Sequence, residues 1–198
     1  MTETVPARLL LAALMACAPW TGASLPARGA ASPARLQLHA CHLEGVQEEL
    51  RCGAWRVWEN REARRGRQID LRVVVLPAKA ARPAPDPVFV LAGGPGQSAV
   101  EQAAAFAGSA LRQQRDLVLV DQRGTGGSNP LFCHFYGTPP DPRRVAEEPY
   151  APAAVTSCRR QLEKVADLRL YTTPIAMDDL DDVRAALGYD QIDLFGGS

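Results

Sequence analysis

Three short apolar runs, each ending in glycine, constrain this chain more than any other feature. Val88-Phe-Val-Leu91 leads into Ala92-Gly-Gly-Pro-Gly96. Asp116-Leu-Val-Leu-Val120 leads into Asp121-Gln-Arg-Gly-Thr-Gly-Gly-Ser128, and Ile192-Asp-Leu-Phe195 leads into Gly196-Gly-Ser198. Runs of this length bounded by glycine read as strands. Continuous rather than alternating apolarity means that both faces of a strand are covered, as in a parallel sheet. Helical patterns lie between them. Ser98-x-x-Glu101 forms a capping box, predicting a helix to about Arg112. Val155, Cys158, Leu162 and Val165 recur at helical spacing. A further helix starts at Thr173 with Pro174 in its first turn, buries Leu180, Val183 and Leu187, and ends at Gly188, where a left-handed cap residue belongs. Strands alternating with helices predict an α/β fold built on a parallel sheet.

The segments upstream read differently. Trp55-Arg-Val-Trp58 alternates, and Ile69–Leu76 begins with alternation and ends as a continuous apolar run. These are expected as an antiparallel edge of the same sheet. Four prolines between Pro77 and Pro87 mark a linker. From Asn129 to Pro152 six prolines and little periodicity predict a long excursion, tied down by Cys133.

The glycine-rich strand ends carry the candidate chemistry. An apolar strand running into Gly-x-Ser is the start of a nucleophile elbow, Gly-x-Ser-x-Gly, in which a tight turn presents the serine hydroxyl above a sheet. Ser198 is therefore the candidate nucleophile. Acyl transfer also needs N–H donors for the developing oxyanion, and a loop without side chains brings its backbone close to that oxygen. Gly93 and Gly94 are the candidate donors; a plain structural turn and a phosphate-binding loop are the other readings of Gly-Gly-Pro-Gly. The phosphate loop lacks its Gly-Lys-Ser/Thr, and Gly-x-Gly-x-x-Gly is absent here. Asp121 and Arg123 are expected to pair with each other and brace a loop. His39, His42 and His134 all precede Ser198 and read as surface or loop residues.

Gly-Gly-Pro-Gly, Asp-Gln-Arg-Gly-x-Gly-x-Ser and Gly-Gly-Ser, in that order and each after an apolar strand, resemble the α/β-hydrolase superfamily. Within it the chain is similar to the proline iminopeptidase group, and more closely to its exported tripeptidyl-aminopeptidase-like branch, over about residues 40–198. The resemblance implies the N-terminal part of an α/β-hydrolase sheet, truncated at the nucleophile elbow. It implies a serine aminopeptidase acting on peptide substrates without a cofactor. Ser198 maps onto the nucleophile, and Gly94 with Gly93 beside it onto the oxyanion loop. The acid and histidine of a Ser-Asp-His triad would follow Ser198, so this chain alone is expected to be inactive. Ala92 stands where the family often has histidine. An esterase or lipase on the same scaffold, and a non-catalytic binding protein of the same fold, are the alternatives.

Residues 1–35 read as a leader and 36–198 as the folded part. Arg8 precedes the apolar run Leu9–Ala18, and small residues and prolines follow, the pattern of a secretory signal. The run is too short for a stable bilayer span. Leu14-Met-Ala-Cys17 also resembles a lipobox, which would make Cys17 a lipid anchor. A secreted or periplasmic protein is expected either way. The 22 basic residues balance 22 acidic ones and are scattered, so no nucleic-acid partner is expected. Export gives the remaining cysteines meaning. Cys41, Cys52, Cys133 and Cys158 allow three pairings, and the nearest-neighbour set, Cys41 with Cys52 and Cys133 with Cys158, closes short loops. Each such bridge is worth about 3 kcal/mol in the loop-entropy account. Non-reducing peptide mapping of protein recovered from an oxidising compartment should recover those two pairs. Four free thiols would count against both the pairing and export.

Overall fold

The computed structural model describes residues 35–94, 96–135 and 150–197. The candidate signal with Cys17, and also Pro95 and Ser198, lie outside the described residues. The strands are β1 (His39–Cys41), β2 (Leu50–Trp58), β3 (Gln68–Leu76), β4 (Val88–Leu91), β5 (Leu117–Val120) and β6 (Asp193–Gly196). The helices are α1 (Ala103–Ala107), α2 (Pro152–Leu162) and α3 (Thr173–Leu187). All six strands join one sheet in the order β1-β2-β3-β5-β4-β6. β1, β2, β3 and β5 pair antiparallel in turn, whereas β5, β4 and β6 run parallel. The result is a mixed-sheet α/β fold with the expected antiparallel edge.

The switch of pattern inside β3 has a structural counterpart. Its continuous apolar half, Val73–Leu76, pairs with β5 from Val73 opposite Val120 to Leu76 opposite Leu117. Its alternating half, Gln68–Leu71, pairs with β2 alone among the strands. The β2–β3 hairpin therefore overhangs the end of the sheet where β4, β5 and β6 finish. Where the strand is central, both faces are covered; where it overhangs, only one side is.

Residue parity divides the core in two. On one face α3 buries Leu180, Val183 and Ala186 against Val73, Val75, Phe89 and Val118. On the other, Val100 and Ala103 pack against Val74, Leu76, Val90, Leu117 and Leu119. From β4 the chain crosses through α1 to β5 on one side; from β5 it crosses through α2 and α3 to β6 on the other. Parallel crossovers share one hand, so opposite directions of travel require opposite faces. That reversal makes β4 the topological switch point, where open α/β sheets form a crevice at the carboxyl ends of the strands.

Four expectations need comment. The helix from Ser98 to Arg112 is broken into a 3-10 turn at Val100–Gln102, α1, and a second 3-10 turn at Ala110–Gln113. Gly108 follows α1, and the Ser109 hydroxyl accepts the Leu111 N–H at 3.2 Å, offering the backbone a non-helical partner. Helix α2 forms where expected but buries no residue, and Val155 and Val165 face outward. Strand β6 is exposed throughout rather than buried, because among the described residues it pairs with β4 alone; Phe106 meets Phe195 edge-on at 5.8 Å. Helix α3 has the expected ends, with Gly188 at φ +85° and the Gly188 and Tyr189 N–H groups returning to Ala185 O and Arg184 O. Leu180 and Val183 are buried as expected, but Leu187 is only half-buried and Ala186 takes the buried place.

Cys41 and Cys52 lie across β1 and β2 with Cα atoms 5.8 Å apart, and Cys133 and Cys158 join the loop after β5 to α2 at 6.0 Å. Both separations suit disulfides. Among the described residues no helix is long and apolar enough to cross a membrane.

Phe89 is 1% exposed at the centre of the sheet. Phe89→Ala should destabilise the fold by about 3–5 kcal/mol in urea unfolding. Phe132, 70% exposed, provides the contrast: its replacement by alanine should change stability by less than about 0.5 kcal/mol.

Candidate functional site

The carboxyl ends of β4 and β5 open into a cleft of about 360 Å³, walled by the Ala92–Gln97 turn on one side and by Val120, Gln122 and Thr125 on the other. The turn is tight. The Gln97 N–H donates to Gly93 O at 3.2 Å, Gly94 has φ +112° and Gly96 φ +95°. A Cβ at Gly94 would lie 3.2 Å from the Gln97 nitrogen, so glycine is required there by both space and dihedral angle. Proline, locked near −65°, cannot replace it without remaking the turn. Among the described residues neither the Gly93 nor the Gly94 N–H donates a hydrogen bond, which leaves two backbone donors beside the cleft.

Asp121 and Arg123 do not pair with each other. The loop turns back between them, with the Thr125 N–H on Gln122 O at 2.9 Å. Asp121 points into the loop and is fully buried. Its Oδ1 accepts the Ser98 hydroxyl at 2.6 Å and the Val100 N–H at 3.1 Å, and its Oδ2 accepts the Gly127 N–H at 2.8 Å. Arg123 turns towards the overhanging hairpin. Its Nε and Nη2 grip both oxygens of Asp179 at 2.6 and 2.9 Å, and its Nη1 donates to the carbonyls of Glu59 and Leu170 at 2.9 and 3.0 Å. Both residues brace the loop: Asp121 against the segment after the glycine turn, Arg123 against the hairpin end, Leu170 and α3.

The second brace extends outward. Arg61 donates to Asp179 at 2.9 Å and to Asp182 at 2.6 Å, and Asp182 in particular strengthens its hold on its proton. Glu59 accepts from Arg67 at 2.9 Å, from the Asp167 N–H at 3.0 Å and from the Tyr171 hydroxyl at 3.0 Å. Burial, with the nearby Glu59 carboxylate, pushes the Tyr171 phenol up to about 12 despite the Asn129 amide that donates to it.

Sequence reasoning missed Glu59 and Asp179, though Asp179 left a trace. Ala176, Asp179, Leu180 and Val183 are all buried on α3, at the i, i+3, i+4, i+7 spacing of a core-facing stripe. An acid on that stripe calls for a buried cation. Glu59 follows a strand and carries no comparable signal.

The histidines stand apart from the cleft. His39 is on β1, separated from β4 by β2, β3 and β5. His42 follows β1 closely, and His134 stacks edge-on against Phe132 at 4.8 Å. All three are exposed and none lines the cleft. Strand β6 pairs with β4 in parallel as far as Leu91 opposite Gly196. Ser198 itself lies outside the described residues.

No family model matches the chain, and no curated protein matches it. Among solved structures it is similar to a proline iminopeptidase-related protein from Thermus thermophilus, with a TM-score of 0.40 and 21% identity. The alignment covers 74% of this chain and 36% of that one, so the chain spans well under half the length of that protein.

Removing Asp179 leaves a fully buried guanidinium without its counter-ion. Asp179→Ala should cost about 3–5 kcal/mol. Asp181, which meets Arg184 at 2.7 Å on the exposed side of the same helix, should cost under about 1 kcal/mol when replaced by alanine. Parallel urea titrations of the two variants check the difference.

Proposed function

We propose that this chain carries the oxyanion turn and the nucleophile of an exported serine hydrolase that acts on the N-termini of peptides. The observation that carries the reading is the parallel pairing of β4 with β6, with Leu91 opposite Gly196. From those two residues the sequence runs on into Ala92-Gly-Gly and Gly197-Ser198. Both motifs thus leave the sheet from adjacent strand ends, at the switch point where such sheets bind ligands. Among the described residues the Gly93 and Gly94 N–H groups have no acceptor, which adds support, since an oxyanion needs donors with no prior partner.

In this reading the Ser198 hydroxyl attacks the scissile carbonyl. The Gly94 N–H, with Gly93 beside it, stabilises the charge that forms on the carbonyl oxygen, together with the N–H of the residue after the serine. A histidine following Ser198 takes the hydroxyl proton and later returns it to the leaving amine, oriented by an acid. His39, His42 and His134 have no part in it. The substrate class follows from the motif resemblance, and export from the leader and the paired cysteines.

The test uses the full-length gene product. A fluorophosphonate probe should label Ser198, and Ser198→Ala should abolish labelling. Aminoacyl and short-peptide chromogenic amides should turn over faster than simple esters; the reverse order would favour an esterase. Residues 36–198 expressed alone should show no turnover above their own Ser198→Ala control. Labelling at a different serine, or turnover that survives Ser198→Ala, would overturn the assignment.

A further inference from the structure

The Gly93–Gln97 turn is too short and too rich in glycine to hold its own shape. Glycine samples both signs of φ freely, so two N–H groups in such a turn are aimed only if its ends are fixed. Its first end is fixed by β4, whose Leu91 is paired with Gly196. At its second end Ala99 and Val100 pack into the core, and one carboxylate holds the polar groups. Asp121 holds Ser98 through the hydroxyl at 2.6 Å and Val100 through the N–H at 3.1 Å, immediately beyond the turn. The Ser98 oxygen in turn accepts the Glu101 N–H at 3.1 Å.

Asp121 is itself held from the far side. Its own N–H donates to Arg72 O at 3.0 Å, and its Oδ2 accepts the Gly127 N–H at 2.8 Å. Gly126, at φ +47°, passes so close that an added Cβ would overlap the carboxylate and lie 2.7 Å from the Ser98 oxygen. Ser128 closes the loop by accepting the Arg72 N–H at 2.8 Å. The carboxylate is thus clamped between the loop after β5 and the segment after the glycine turn, with three donors and no water-facing surface.

We propose that Asp121 is a positioning residue: it sets the exit of the Gly93–Gln97 turn and thereby aims the Gly93 and Gly94 N–H groups, without touching substrate. The inference rests on the serine-hydrolase reading for its catalytic consequence, but its structural half stands separately. The two oxygens of Asp121 act only as acceptors, so Asp121→Asn places an NH₂ against a donor and loosens the grip with little change of volume. Ser98→Ala removes one of the same bonds more gently and serves if Asp121→Asn fails to fold.

The experiment compares wild type, Asp121→Asn, Ser98→Ala, the double variant and, as a control, Asp70→Asn on the exposed hairpin pair with Arg56, all in the full-length protein. Amide hydrogen exchange should rise over residues 93–97 in the first three variants and stay unchanged in the control. Turnover is expressed per site titrated with fluorophosphonate, so that loss of folded protein does not register as loss of kcat. Asp121→Asn should lower kcat per titrated site by about 10²-fold, the penalty of a displacement near 1 Å, with KM unchanged. Ser98→Ala should fall less, and the double variant no further than Asp121→Asn, because the two residues share a bond. Unaltered exchange over 93–97, or wild-type kcat per titrated site in folded variants, overturns the proposal. Failure of the wild type to label at Ser198 overturns the hydrolase reading instead, and the exchange result then decides the grip alone.

Discussion

Strand β4 has hydrogen-bonded neighbours on both edges and apolar cover on both faces, and it is only four residues long. Its two neighbours, β5 and β6, run parallel to it and are reached by crossovers that travel in opposite directions. The split of helices between the two faces, the cleft at the carboxyl ends and the need for a tight glycine turn after Leu91 all follow. If β4 carried alternating polar residues, one face would have to be solvated and α1 or α3 would lose its seat.

Around this apolar centre the polar groups are arranged as two separate clamps. Asp121 is satisfied by three neutral donors from two loops. Arg123 is satisfied by Asp179 and by carbonyls from the hairpin and the segment before α3. A buried ion pair contributes little net stability compared with apolar residues of the same volume, because desolvation offsets attraction. What it contributes is geometry. Arg123 can satisfy its donors only when the hairpin end, Leu170 and α3 are together, so it ties the loop after β5 to those three. Asp121 ties the same loop to the segment after the glycine turn. The loop from Asp121 to Ser128 is therefore a connector between the glycine turn and the rest of the molecule.

Most elements were legible in the sequence because their signals are local. The apolar runs at 88–91 and 117–120, the cap at Gly188 and the change of pattern inside β3 each report a property of the strand or helix that contains them. The cysteine neighbours were legible for the same reason: short loops close easily. Elements failed where a local signal competed with context. The Ser98 capping box exists in part, since Ser98 accepts the Glu101 N–H, but its hydroxyl also serves Asp121, and Gly108 stops the helix. The stripe on α2 is periodic yet only partly covered, with Cys158 and Leu162 half-buried and Val155 and Val165 exposed, because periodicity states which side is apolar and not how much packs on it.

The sequence by itself determined the α/β class, the positions of β3 to β6 and of α2 and α3, and the glycines at which the chain must turn tightly, because each depends on residues within one or two turns of chain. Only the tertiary structure decided the partners of the charged residues. Asp121 and Arg123 are two positions apart, and proximity along the chain suggested that they pair. Their actual partners are Ser98, Val100 and Gly127 for one, and Asp179, Glu59 and Leu170 for the other. A buried charge is satisfied by whichever groups the folded sheet brings within hydrogen-bond range, and that choice depends on strand order and crossover direction, which no local pattern records.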